Sequence, residues 1–180
     1  MNRFKSVILA LVAAVGVVSC ESEPLDDHTK NIEGEFKPIL SFDVFGQRRV
    51  TDDVTVNWLS LSSFEVVAKV KDQHSLYKID ELRITYSALL LGTFSWERSE
   101  EGFDLGSSAE IKFANTSFTY ATNNAPVLIR QAGFATISDI NYNSRYMKGN
   151  FEYDMYPPRS FENDYPPIKI SNGSFSYVNF

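Results

Sequence analysis

Gly149-Asn150-Phe151-Glu152-Tyr153 and Gly173-Ser174-Phe175-Ser176-Tyr177 share one pattern, Gly-x-Phe-x-aromatic, and Gly92-Thr93-Phe94-Ser95-Trp96 carries it a third time. A relaxed copy without the glycine, Ser117-Phe118-Thr119-Tyr120, lies between the units at 92 and 149. In a strand, residues i and i+2 point to the same face. Each unit therefore sets two rings side by side on one face and small or polar groups on the other. The glycine ahead of the rings suits a bulge, a tight bend or a close backbone approach. The motif is architectural: it predicts strands and names no chemistry.

The same alternation runs outward in both directions. Val54, Val56 and Trp58 alternate with Thr55 and Asn57. Phe64, Val66, Ala68 and Val70 alternate with Glu65 and Lys69, and Leu82, Ile84 and Tyr86 with Arg83 and Thr85. Strand-like runs continue at 36–45, 111–113, 127–129, 134–140, 147–153 and 168–177. Period-2 alternation of β-branched and aromatic residues marks half-buried strands. Turn signals separate the runs at Gly46-Gln47, Glu101-Gly102, Leu105 to Ser108, Asn123 to Pro126, Asn141 to Ser144 and Asn172-Gly173. The Arg48-Arg49 doublet reads as a solvated turn. Asp80 to Leu91 is the best helical candidate, but Ile84, Thr85 and Tyr86 weigh against it. Many short strands without intervening helices predict an all-β fold, an antiparallel β-sandwich or barrel-like single domain.

The N-terminus reads as an address. Arg3 and Lys5 precede an unbroken apolar run from Val7 to Val18, too short to span a bilayer but of signal-peptide length. It ends in Val17-Val18-Ser19-Cys20, which resembles the lipobox of bacterial lipoproteins. Cys20 is the only cysteine in the chain, so no disulfide is available and lipid attachment is its expected role. Residues 1–19 are then a signal peptide, 20–34 a lipidated N-terminus and polar, acidic tether, and 35–180 the β domain. The acids that follow Cys20, interrupted by Ser22 and Pro24, partly resemble the surface-export signal of Bacteroidetes lipoproteins. That leaves surface and periplasmic orientations both open.

The chain has 180 residues and a formal net charge of −6, and removal of residues 1–19 takes away two further cations. This acidic balance argues against nucleic acid or an anionic surface as a partner, because both require cationic patches.

The lipobox, Leu91-Gly-Thr-Phe-Ser95, Gly133-Phe-Ala-Thr-Ile-Ser-Asp-Ile140, Met147-Lys-Gly-Asn-Phe151 and Ile170-Ser-Asn-Gly-Ser-Phe175 together resemble a family of small envelope lipoproteins of unknown function, abundant in Bacteroidetes. The resemblance is carried by the C-terminal half and implies a closing hairpin whose last strand ends the domain. It also implies multiple acylation at Cys20, palmitate included, and outer-membrane anchoring. It implies no activity.

Catalytic and metal signatures are absent from the sequence. His28 and His74 have no Cys or His at ligand spacing, and no nucleophile elbow, phosphate loop or His-Glu-x-x-His is present. Asp139-Ile-Asn141-Tyr-Asn143 opens like a calcium loop, yet Ser144 and Asn150 stand where glycine and glutamate belong, so an Asx-type turn is expected. Glu97, Glu100, Glu101 and Asp104 flank Gly102 and read as a solvated hairpin turn rather than a glycosidase pair. No catalytic residue, metal or cofactor is assigned.

One segment stands out for interaction. Met155 to Pro167 contains Tyr-Pro-Pro twice, and its prolines stiffen an irregular loop of a length that is uncommon without a role. Tyr156, Arg159, Phe161, Asp164 and Tyr165 are the candidate ligand-binding residues, since rings beside polar groups suit a glycan or another envelope protein. The competing reading has the aromatics fold back to cap the sandwich. The expected function is a non-enzymatic binding or accessory module held at the membrane by its lipid. Alternatives are a carboxylate-based hydrolase of envelope or extracellular glycans, and an interaction module using the C-terminal strand as a free edge.

Overall fold

A computed structural model of the chain describes residues 38–71, 78–98 and 104–178. Cys20, the leader, the tether, His28, His74, Glu100 and Glu101 lie outside them. The described residues form twelve strands: β1 (Ile39–Val44), β2 (Gln47–Thr51), β3 (Val54–Trp58), β4 (Phe64–Lys69), β5 (Ile79–Tyr86), β6 (Gly92–Arg98), β7 (Asp104–Leu105), β8 (Ser107–Phe113), β9 (Thr119–Ala121), β10 (Gln131–Asn141), β11 (Tyr146–Met155) and β12 (Ile168–Val178). They make two antiparallel sheets, β2-β1-β12-β11-β10-β6-β7 and β3-β4-β5-β8-β9. The architecture is a sandwich rather than a barrel.

Alternation does what the sequence predicts. Along β5, Leu82, Ile84 and Tyr86 are buried against the opposite sheet, while Glu81, Arg83 and Thr85 face outward. Leu40, Phe42 and Val44 of β1, and Phe64, Val66 and Ala68 of β4, join them in one core. Burying each large apolar side chain contributes about 1.5–3 kcal/mol.

The repeated motif has a specific packing logic. Gly149 of β11 lies opposite Phe175 of β12, and Phe151 lies opposite Gly173, so the two strands interlock reciprocally. A Cβ on Gly173 would come within 2.5 Å of the Phe151 ring. The row continues through small Ala135, paired with both Phe151 and Phe94, and Gly133, paired with Tyr153. Each ring therefore lies over a residue with little or no side chain. Phe151 and Phe175 stack with centroids 6.4 Å apart.

Four expectations need correction. Residues 127–129 form no strand: they belong to the crossover from β9 to β10, where Val127 and Leu128 are exposed. Asn172-Gly173 is not a turn but a bulge within β12, with Asn172 at φ 50°. Arg48-Arg49 belongs to β2. There Arg48 donates to Ser41 Oγ at 2.6 Å, to the Asn172 carbonyl at 2.7 Å and to Asp43 at 3.2 Å. The Asn172 amide and then Arg48 hold the Asp43 carboxyl below its usual range. Finally, β12 is no edge: it lies between β1 and β11. A strand of eleven residues is better satisfied with partners on both sides.

The connections gather at two ends. Ile39, where β1 begins, pairs with Ser176, two residues before Val178 pairs with Tyr146. The β3–β4 turn (59–63), the β5–β6 connection (87–91) and the β10–β11 turn (142–145) share that end. The Tyr142 hydroxyl donates to the Leu89 carbonyl at 3.3 Å. At the far end lie the β1–β2 turn, the β8–β9 turn (114–118) and the Tyr-Pro-Pro loop (156–167).

Candidate functional site: an aromatic cleft at the far end

The β1–β2 turn consists of Phe45 and Gly46, both left-handed, with φ of 52° and 71°. Glycine accepts that conformation freely, but a phenylalanine there is strained, and such strain persists only where its surroundings hold it. The turn sets the Phe45 ring 5.9 Å from Phe113, the last residue of β8. Phe113 meets Tyr120 of β9 edge-on at 5.7 Å. With Lys78, Asn115, Thr116 and Tyr165, these rings line a cleft of about 230 Å³. That volume is below the usual range for drug-sized ligands and suits one ring or one side chain.

The rim is built rather than loose. Thr116 closes the β8–β9 turn, its hydroxyl donating to the Phe118 carbonyl at 2.8 Å. Phe118 stacks on Phe161 at 4.5 Å and meets Tyr165 edge-on at 5.0 Å. Phe161 and Tyr165 are themselves edge to face at 6.2 Å. Burial, and then nearby Tyr165, push the Tyr120 hydroxyl up, so it stays a neutral donor and acceptor across the physiological range. Among the described residues, Lys78 is the only charged group in the lining.

The structure separates the five loop residues marked in the sequence. Tyr165 lines the cleft and remains 41% exposed. Phe161 stands behind it as a support. Tyr156 is turned elsewhere: its backbone exchanges 3.0 Å hydrogen bonds with Ala121, and its ring packs against the Trp96, Ala125 and Ala132 cluster. Burial and then Asp154 raise the Tyr156 pKa. Arg159, in a short 3-10 turn, and Asp164 are exposed, and neither lines the cleft. Thus part of the loop folds back as a cap and part presents a ring. Sequence reasoning missed Phe45, Lys78, Phe113, Asn115, Thr116 and Tyr120. A bulky residue ahead of Gly46 in an evident turn was the one available signal.

Two other clusters read as structural. On the outer face of the smaller sheet, Glu81, Arg83, Glu110, Lys112 and Thr119 line a shallow groove. Arg83 holds Glu65 at 3.1 Å and Glu81 at 2.8 Å, and the Glu81 hydrogen bond leads the upward shift of its pKa. Acids and bases there neutralise one another across adjacent strands. Glu97 points outward and accepts from Gln131 at 3.2 Å, within the β6–β7 hairpin that pairs Arg98 with Asp104. Asn141 Oδ1 accepts from the backbone N–H groups of Asn143 and Ser144 at 3.0 and 3.1 Å, an Asx turn at the start of the calcium-like stretch.

Comparison with family models, curated proteins and solved structures found no match to this chain.

Proposed function

We propose that the chain is a lipid-anchored cell-envelope protein, held at the outer membrane through Cys20, whose β-sandwich is a non-enzymatic binding module. The resemblance of its lipobox and closing hairpin segments to small envelope lipoproteins supports the anchoring. The observation that carries the binding role is the far-end cleft. Three hairpins distant in sequence bring four rings together around a cation, an amide and a hydroxyl. Ring faces beside hydrogen-bonding groups suit a sugar ring at the end of a glycan. Among the described residues the lining contains no carboxylate, where acid–base hydrolysis uses two.

The test is a glycan array followed by calorimetry on the purified chain. A ligand is expected whose affinity falls at least about tenfold, or ~1.4 kcal/mol, in Tyr165→Ala and in Asn115→Ala. Retained affinity in both variants, or no glycan binding at all, would sink the proposal.

A further inference from the structure

The end where β1 begins carries a collar of exposed apolar side chains. Trp58 projects from the end of β3, Leu59 and Leu61 from the β3–β4 turn, Leu90 and Leu91 from the β5–β6 connection, and Tyr142 from the β10–β11 turn. Leu61 is fully exposed, and Leu90, Leu91 and Tyr142 are each at least 60% exposed. Isolated exposed leucines are ordinary on a protein surface, but a contiguous apolar patch marks an interaction site. Here three separate loops place such residues on one end.

Charge sharpens the picture. Residues 58–63, 87–92 and 141–146 contain no aspartate or glutamate and one cation, Arg145, in a chain of net charge −6. The opposite loop, 156–167, carries Glu162 and Asp164 against one arginine, with Asp154 just before it in β11. The composition of the collar is leucine at the tips, Trp58 and Tyr142 beside them, and serine and asparagine around the base. Tryptophan and tyrosine favour the headgroup boundary of a bilayer, and leucine the acyl region just below it.

We propose that this end docks on the bilayer surface, with the three loops seated in the headgroup and upper acyl region. The inference rests on the anchoring through Cys20 proposed above. The chain enters the fold at the collar, and eighteen residues separate Cys20 from Ile39, so along the chain this is the end nearer the lipid. Docking in this pose points the aromatic cleft directly away from the membrane.

The experiment uses the full chain, purified from membranes and reconstituted into zwitterionic phosphatidylethanolamine–phosphatidylcholine vesicles with and without brominated acyl chains. Trp58 is the reporter, and buried Trp96 is subtracted using a Trp58→Phe variant. The expected result is that the protein floats with the vesicles and Trp58 emission is lost to the bromines. In a variant carrying Leu59→Ser, Leu61→Ser, Leu90→Ser and Leu91→Ser, quenching is lost while flotation and the melting temperature are kept. Flotation with Trp58 emission equal in both vesicle types overturns the docking and leaves the anchor standing, with the collar then open to a protein partner. Failure to float overturns the anchor, and the docking falls with it.

Discussion

A methyl group added at position 149 would meet the Thr136 carbonyl and come within 2.5 Å of the Phe175 ring. Neither can yield without moving a strand, so Gly149→Ala is expected to destabilise by about 2–4 kcal/mol. In a chain of this size each kcal/mol lowers Tm by about 2–4 °C, which a thermal melt resolves. Gly46→Ala meets nothing within 4 Å and carries only the left-handed backbone strain, about 1–2 kcal/mol, so the smaller loss is expected there. Tyr153 supplies a second test. Its ring is fully buried and its hydroxyl donates to Ser107 Oγ at 2.8 Å, while burial pushes its pKa well above the ordinary phenol value. The folded state then holds the proton after the unfolded state has released it. Its contribution is whole below about pH 10 and shrinks as pH rises further, with a slope approaching 1.4 kcal/mol per pH unit. Partly buried Tyr120 and Tyr156 act in the same direction. Urea midpoints measured between neutral and strongly alkaline pH should fall, and fall less steeply in Tyr153→Phe.

At the level of elements, the Tyr-Pro-Pro loop is held through Phe118 more than through its prolines. Phe118→Ala removes the stacking partner of Phe161 and the edge contact to Tyr165. Trypsin should then cut after Arg159 while leaving the wild-type loop intact. Equal resistance in both proteins would mean that the loop is held by its own backbone turns. Strand existence was legible because alternation is local: β3, β4, β5 and β11 can be read directly from residue order. Boundaries failed where a local signal had two meanings. Val127-Leu128-Ile129 is apolar enough for a strand, but it follows Pro126 and belongs to a crossover between sheets. Asn172-Gly173 is the commonest hairpin dipeptide, yet here asparagine takes the left-handed bulge position and glycine makes room for Phe151. The cleft was not legible, because bringing Phe45, Phe113 and Tyr165 together depends on strand order, which residue patterns do not encode. Only Tyr165 could be marked in advance, from its place in an unusual loop.

Over the whole molecule, the pairing of β1 with β12 joins the two ends of the described chain. A chain stopped after Pro167 leaves β1 and β11 each short of one neighbour and opens the core around Phe151. It should show no cooperative melt and should aggregate through the bared edges. A cooperative transition in that truncation would show that β12 is dispensable. Non-local pairing of this kind also places refolding in the millisecond-to-second range rather than the microsecond one, which stopped-flow fluorescence would read. The same pairing sets an order of events. A polypeptide emerging amino end first, from a ribosome or through a translocation pore, presents β1 long before the strand that completes it. Until residue 178 has cleared the exit, the larger sheet has a gap at its centre, and the chain remains a thread. Maturation is timed by the eleven residues of β12.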